Sequence, residues 1–218
     1  MKNILFLNVS PRQKGTSFVL LQMCMESLSK KGHKCNLMHL YPHLNDLRSL
    51  REAVGCADTL VISGPCYINT YPADTIALLE DLAGHREVLR GQNMYGIIQG
   101  GMPYPHTHEN GLSMLEIFCK KCGLTYKGGF VMGLGAILNG QPITNLPNSK
   151  KIIKQLQIFF EHIDKDEESP IQVYQEARFK VPSLVYRVMA GTMNRKIDKD
   201  LKNHGIDIKR KSPYLISE

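Results

Sequence analysis

Residues 4–17 read ILFLNVSPRQKGTS, and no other stretch restricts the fold as strongly. Ile4, Leu5, Phe6, Leu7 and Val9 make a nearly continuous apolar run, as expected of a strand buried on both faces of a parallel sheet. Ser10 opens a tight loop that Pro11 and Gly15 punctuate, and Thr16 and Ser17 stand where a helix would begin, ahead of the apolar-rich residues 18–28. The order is strand, short loop, helix. A helix N-terminus presents unpaired N–H groups and a partial positive charge, so a loop bearing hydroxyls and Gly at that place can hold a phosphate. Ser10, Thr16 and Ser17 would supply hydroxyls and Arg12 would supply charge. The loop has neither G-x-G-x-x-G nor G-K-[ST], which sets aside the dinucleotide and nucleoside-triphosphate fingerprints and favours a single phosphomonoester.

A chain of 218 residues can bury one sizeable α/β core with an appendage. Hydrophobic residues at 43% and charged residues at 22% exclude a largely disordered protein. No apolar run approaches a membrane span, and the run before Ser10 is too short for a signal-peptide core, so the expected location is cytoplasmic. The six cysteines, Cys24, Cys35, Cys56, Cys66, Cys119 and Cys122, show no disulfide-framework spacing and are expected to be reduced. Cys119 and Cys122 form C-x-x-C inside an expected helix over residues 112–122; with no second ligand pair they read as small apolar residues on one helix face. The charge of +7 is unevenly placed. Residues 1–176 carry 17 Lys or Arg against 16 Asp or Glu, whereas residues 177–218 carry 10 against 4. The body is neutral and the tail is basic.

Along the chain, strands are expected over residues 35–40, 59–63, 92–99 and 125–132, with helices over 46–57, 72–82, 112–122 and 149–163. The last of these carries Ile152, Ile153, Leu156, Phe159, Phe160 and Ile163 on one broad apolar face. Repeated alternation of strand and helix argues for a parallel sheet covered on both sides. The third strand runs into Gly64-Pro65-Cys66-Tyr67-Ile68-Asn69-Thr70-Tyr71-Pro72, and the fourth into Gly100-Gly101-Met102-Pro103-Tyr104-Pro105-His106-Thr107-His108-Glu109. In doubly wound sheets ligands bind beyond the carboxyl ends of the strands, where these loops fall.

These motifs carry a resemblance. S-P-R-x-x-G-x-S after the first strand resembles the FMN phosphate loop of the flavodoxin-like NAD(P)H-dependent oxidoreductases, the FMN reductase and quinone reductase group. The segment from Gly64 through Tyr67 to Pro72 resembles that family's flavin-ring loop, and the Gly100-Gly101 pair resembles the start of its third flavin loop. The resemblance implies a five-stranded sheet of order 2-1-3-4-5 and an FMN site built from Ser10, Arg12, Gly15, Thr16, Ser17, Pro65, Cys66, Tyr67, Ile68, Asn69, Thr70, Gly100 and Gly101. Backbone N–H groups of residues 66–70 would meet the N5 and O4 edge of the flavin, and Tyr67 would offer an aromatic face. Tyr104 with His106 or His108 would stand near the transferred hydride and relay a proton. Packing of a surface loop is the competing account of Tyr67 and Tyr71, and exposed loop histidines or a metal site with Glu109 compete for His106 and His108. The iron–sulfur branch has a cysteine cluster after its second strand; residues 40–60 hold only Cys56, so no cluster is expected.

The implied activity is hydride transfer from NADPH or NADH through FMN to a small-molecule electron acceptor such as a quinone, a flavin or a nitro compound. A flavodoxin-like electron-transfer protein is an alternative, disfavoured by the neutral body, because electron shuttles steer by strong acidic charge. A non-catalytic binding module on the same fold is another. The expected division is a flavin-binding domain over residues 1–163 and a basic helical extension over 164–218. Residues 171–193 are expected to be helical with a break near Pro182, and Val185, Met189, Met193, Ile197 and Leu201 recur every fourth residue. That stripe is expected to pack on the body or in a homodimer, ahead of nucleic acid or a membrane surface.

Overall fold

The computed structural model describes residues 1–146, 148–178 and 183–206. The N-terminal apolar run forms β1 (Asn3–Asn8), buried at every position but the first. It is an inner strand: edge strand β2 (Lys34–His39) pairs with it on one side and β3 (Thr59–Pro65) on the other, followed outward by β4 (Asn93–Gln99) and β5 (Thr125–Met132). All pairings are parallel and the order is β2-β1-β3-β4-β5, the order the resemblance implies. Burial follows position. All seven residues of β3 are buried, while every residue of edge strand β2 is exposed or only half-buried, because it lacks a neighbour on one side.

The crossovers are α1 (Thr16–Lys30), α2 (Arg48–Gly55), α3 (Ala73–Gly84) and α4 (Glu109–Cys122); a short α5 (Gly135–Leu138) and a long α6 (Ser149–Lys165) follow β5. α2 is shorter than its apolar spacing predicts. Asp46 lies outside it and accepts the Arg48 amide through Oδ1 at 3.0 Å, so the carboxylate ends the preceding turn instead of entering the helix. Pro72 sits at the N-cap of α3, where its missing N–H costs nothing. α4 begins at Glu109, a turn earlier than expected. Cys119 of that helix is buried with Sγ 3.4 Å from Met94 Sδ, and burial pushes its thiol up to about 12.

α6 buries Ile152, Leu156, Phe159, Phe160 and Ile163. Phe159 meets Tyr95 of β4 edge-on, with ring centroids 6.0 Å apart. The carbonyls at the end of this helix are held from β1's side: Lys2 Nζ donates to Ile163 O and Asp164 O, each at 2.8 Å. Beyond α6 the chain returns to the sheet edge, where the Ser169 amide donates to Lys127 O at 2.8 Å, and α7 (Gln172–Ala177) buries Val173, Tyr174 and Ala177. The compact unit bearing the sheet runs from Met1 to Phe179. A second unit, Lys180 to Glu218, contains α8 (Ser183–Asn203). The expected break near Pro182 and the basic run Lys209-Arg210-Lys211 lie outside the described residues.

The strand register decides where the loops go. Asn8 lies opposite Ser63, Pro65 opposite Gln99, and Gln99 opposite Met132, so the chain leaves β1, β3, β4 and β5 along one edge of the sheet. β1 and β3 are the point at which the winding reverses.

Candidate functional site

The first loop is tightly internally bonded. The Ser10 amide donates to Asn8 Oδ1 at 3.2 Å, Ser10 Oγ accepts the Arg12 amide at 3.3 Å, and the Gly15 amide closes the turn on Arg12 O at 3.1 Å. Asn8 is fully buried and its Nδ2 donates to Gln13 O at 3.2 Å and reaches His39 Nδ1 at 3.0 Å. Burial lowers the pKa of His39. Helix α1 then starts, with the amides of Phe18 and Val19 donating to Gly15 O. The amides of Thr16 and Ser17 come before any helical acceptor and are the first-turn donors.

The Thr16 and Ser17 side chains face inward. Thr16 Oγ1 donates to Gly135 O at 2.8 Å, while Ser17 Oγ accepts from Gln99 Nε2 at 3.3 Å; both residues are buried. Their hydroxyls tie α1 to the loop after β5 and to the end of β4. Arg12 is exposed and its Nη1 donates to Asn139 Oδ1 at 2.6 Å. Asn139 is a partner that sequence reasoning missed. It ends α5 in the left-handed region (φ 46), a conformation that Asn tolerates, and the Asn139-Gly140 pair was the available signal.

The second loop is a two-residue hairpin. The Tyr67 amide donates to Thr70 O at 2.7 Å and the Thr70 amide to Tyr67 O at 3.4 Å, with Ile68 (φ 50) and Asn69 (φ 69) at the apex. The Cys66 amide is bonded to Gln99 O at 2.6 Å. Of the five amides from residue 66 to 70, those of Cys66, Tyr67 and Thr70 are thus bonded to backbone carbonyls, and that of Asn69 meets the Cys66 sulfur. Ile68 is almost fully exposed, and a β-branched residue at positive φ is a true outlier. Tyr67 is half exposed. Tyr71 is buried and its hydroxyl donates to Ile97 O at 3.0 Å, which makes it a packing residue. Cys66 Sγ lies 3.7 Å from Thr107 O, and burial pushes its thiol pKa up. Tyr41, in the 3-10 turn after β2, is a second residue that the sequence did not single out. Burial, then its hydrogen bond to Asp74, raises its phenol pKa, and Tyr67 lies close enough to add to the effect.

The third loop separates its two histidines. His108 is buried, with Nε2 3.1 Å from Met102 O, and its ring lies directly against Gly100: a Cβ there would fall 2.3 Å from His108 Cε1. Gly100 therefore makes room for a side chain of its own loop. Gly101 is exposed, and a Cβ there would meet only Ala136 Cβ at 3.8 Å. His106 is exposed and stacks on Tyr104, with centroids 5.7 Å apart and planes at 21°, while Arg178 Cζ stands 4.8 Å from the centre of the Tyr104 ring. Arg178, read from sequence as part of a basic tail, thus reaches the candidate site. Among the described residues, no three His, Cys, Asp or Glu form a group that could hold a metal ion.

No protein-family model matches the chain, and no curated protein does. Solved structures do. The apo form of an NADH:FMN oxidoreductase is 18% identical, with a TM-score of 0.61 over 80% of this chain and 94% of that one. An NAD(P)H:quinone oxidoreductase from Methanothermobacter marburgensis is 17% identical, with a TM-score of 0.56 over 78% of this chain and 98% of its own. An azoreductase from Bacillus anthracis is 15% identical, with a TM-score of 0.53 over 76% and 98%. At such identities the likeness is one of architecture, and it agrees with the strand order and loop placement: the chain has the flavodoxin-like fold of these solved oxidoreductases.

Proposed function

We propose that the chain is an FMN-dependent NAD(P)H oxidoreductase that reduces a small-molecule acceptor. The observation that carries this reading is the convergence, at the carboxyl edge of the sheet, of the donor-rich start of α1 with the apex at Ile68 and Asn69 and the open Gly101. These residues fit the cofactor. The amides of Thr16 and Ser17, the Ser10 hydroxyl and the Arg12 guanidinium are donors suited to a phosphomonoester, with Gly15 leaving the turn narrow. Ile68 has the amide left at the apex of the second loop, the Asn69 amide being directed at the Cys66 sulfur; Tyr67 has an exposed aromatic face, and Pro65, Cys66 and Thr70 hold the hairpin in place. Gly100, through His108, fixes the third loop.

Bound FMN would supply the hydride and electron chemistry. The protein binds, orients and excludes water. Tyr104 and His106, stacked and accessible, are the proposed proton-relay residues, and His108 supports them from within. Arg178 over Tyr104 adds positive charge on that side. The flavin-binding part is residues 1–163. We place the enzyme in the cytoplasm, as a homodimer, with either NADH or NADPH as donor and a quinone, flavin or nitro compound as acceptor.

The near-neutral charge of residues 1–176 supports an enzyme over an electron shuttle. The test is the visible absorption spectrum of the purified protein titrated with FMN and then, anaerobically, with NADH or NADPH. Stoichiometric FMN binding followed by bleaching supports the reading. A protein that takes up no FMN refutes it.

A further inference from the structure

The FMN reading uses Arg12 for the cofactor's phosphate; a second arginine, Arg178, reaches the third loop from much later in the chain. It follows α7, whose Val173, Tyr174 and Ala177 are buried and whose last carbonyl, Ala177 O, accepts from Asn148 Nδ2 at 3.3 Å. The backbone that carries Arg178 is therefore anchored within the unit bearing the sheet, while its side chain is exposed. With Pro105, Met132 and Gly133 it lines a small depression between the third loop and the end of β5, and its guanidinium stands over the Tyr104 ring. Among the described residues Arg48 and Arg51 pair with carboxylates, and Arg178 pairs with none. The loops around it hold no acid. Residues 9–15, 66–72, 100–108 and 133–148 carry Arg12 and Lys14 but no Asp or Glu, although residues 1–176 as a whole balance 17 basic against 16 acidic groups. The carboxylates of Asp74 and Glu109, which open α3 and α4, are engaged by the hydroxyls of Tyr41 and Tyr174, and Glu176 Oε2 accepts Gln155 Nε2 at 2.8 Å.

Attraction to the ring restrains the long Arg178 side chain without neutralising its charge, so less rotamer freedom is lost when an oxyanion arrives. The planar fork of donors then matches a carboxylate or a sulfonate in a bidentate pair. Three anions could meet it. The FMN phosphate would lie with Arg12 at the start of α1, in the first loop. The phosphates of a nicotinamide donor are set a ribose away from the ring that reacts, whereas Arg178 touches Tyr104, which the proposed proton relay puts beside the atom being reduced. An ionised group on the acceptor itself, next to the part that is reduced, fits that placement. Resting on the FMN reading, we infer that Arg178 selects electron acceptors bearing a carboxylate or sulfonate beside the reducible group.

The test compares 1,4-naphthoquinone with its 2-sulfonate as acceptors for the FMN-loaded chain and for Arg178→Gln. Taking, for each protein, the ratio of kcat/KM for the sulfonate over the neutral quinone cancels the difference in potential between the two acceptors. The ratio should fall about 10- to 100-fold in Arg178→Gln, the value of a lost bond between charged groups, and Arg178→Lys, which keeps the charge without the fork, should restore part of it. In the unsubstituted chain the ratio should also fall as salt is raised to about 0.5 M. Naphthalene-2-sulfonate, which is not reduced, gives a second readout: its affinity for the chain in titration calorimetry should drop about tenfold or more in Arg178→Gln. A chain reduced through FMN whose acceptor ratio is unmoved by Arg178→Gln overturns this inference and leaves the FMN reading standing. One that takes up no FMN yet binds naphthalene-2-sulfonate through Arg178 overturns the FMN reading and keeps the anion site, and one that binds neither overturns both. With an unmoved acceptor ratio, a fall in kcat/KM for NADH or NADPH would assign Arg178 to the donor, and a lowered flavin potential would assign it to the reduced flavin; either result overturns selection of the acceptor.

Discussion

Replacing Gly100 by Ala adds one methyl group at a point where the protein has no room for it. The new Cβ would lie 2.3 Å from Cε1 of His108 and 2.8 Å from both ring nitrogens. Ordinary carbon contact is about 3.5 Å, so the ring must retreat by about 1.2 Å. It cannot do so freely, because His108 is buried and its Nε2 is held 3.1 Å from Met102 O. Overpacking costs about 1–3 kcal/mol and the broken hydrogen bond about 1 kcal/mol, for a total of about 2–4 kcal/mol. With a urea m-value of about 2 kcal/mol/M, the unfolding midpoint should fall by about 1–2 M. Removal of the ring by His108→Ala should itself cost about 2 kcal/mol. The double variant is the decisive measurement: the added methyl then enters space the ring has vacated, so the combined cost should be about 2 kcal/mol below the sum of the singles. An unchanged midpoint for Gly100→Ala, or strictly additive singles, would refute the packing of His108 on Gly100.

Ile68→Asn keeps the hairpin but replaces a β-branched side chain at φ 50 with one that tolerates the left-handed region, so the urea midpoint should rise by an amount equivalent to about 1 kcal/mol. Arg12→Ala should leave stability nearly unchanged, since the side chain is exposed, yet weaken FMN binding about 10- to 100-fold in a fluorescence titration, the value of a lost charge-assisted bond. Gly128→Ala should destabilise by about 3 kcal/mol or more in the same urea assay, because φ is +90 and the Cβ would fall on Ser169 O. The hydrogen bonds that Asp164 accepts from Lys31 and then His33 hold its carboxyl below the ordinary aspartate value of 3.8. Its stabilisation is therefore full above pH 3.8 and lost as pH falls through the lower folded value. Asp164→Asn should cost about 1 kcal/mol near pH 6, with the difference from the parent chain closing below pH 3.8 when midpoints are followed across the acid range.

Much of the architecture was legible because it rests on local signals. The run from Ile4 to Val9 can be satisfied only by burial on both faces, and residues 125–132 were bounded correctly because a Gly precedes and another follows the apolar stretch. The wrong boundaries have local causes too: Asp46 leaves α2 because its carboxylate competes for a backbone amide, and α4 starts early once the third loop has folded back at His108.

The candidate site divides along a different line. Sequence alone determined that loops rich in Gly, hydroxyls and aromatics follow strands one, three and four, since residue types that end strands announce themselves by their own conformational limits. Which atoms face outward was decided by packing between segments far apart in the chain. Thr16 turns its hydroxyl to Gly135, 119 residues away, and Ser17 receives Gln99, 82 residues away. Arg12 finds Asn139 and Tyr104 lies beneath Arg178. His106 and His108, two residues apart and alike in the sequence, become an exposed stacked ring and a buried loop support. A side chain's own chemistry offers several partners of similar energy, and only the three-dimensional arrangement of distant backbone decides which partner is within reach.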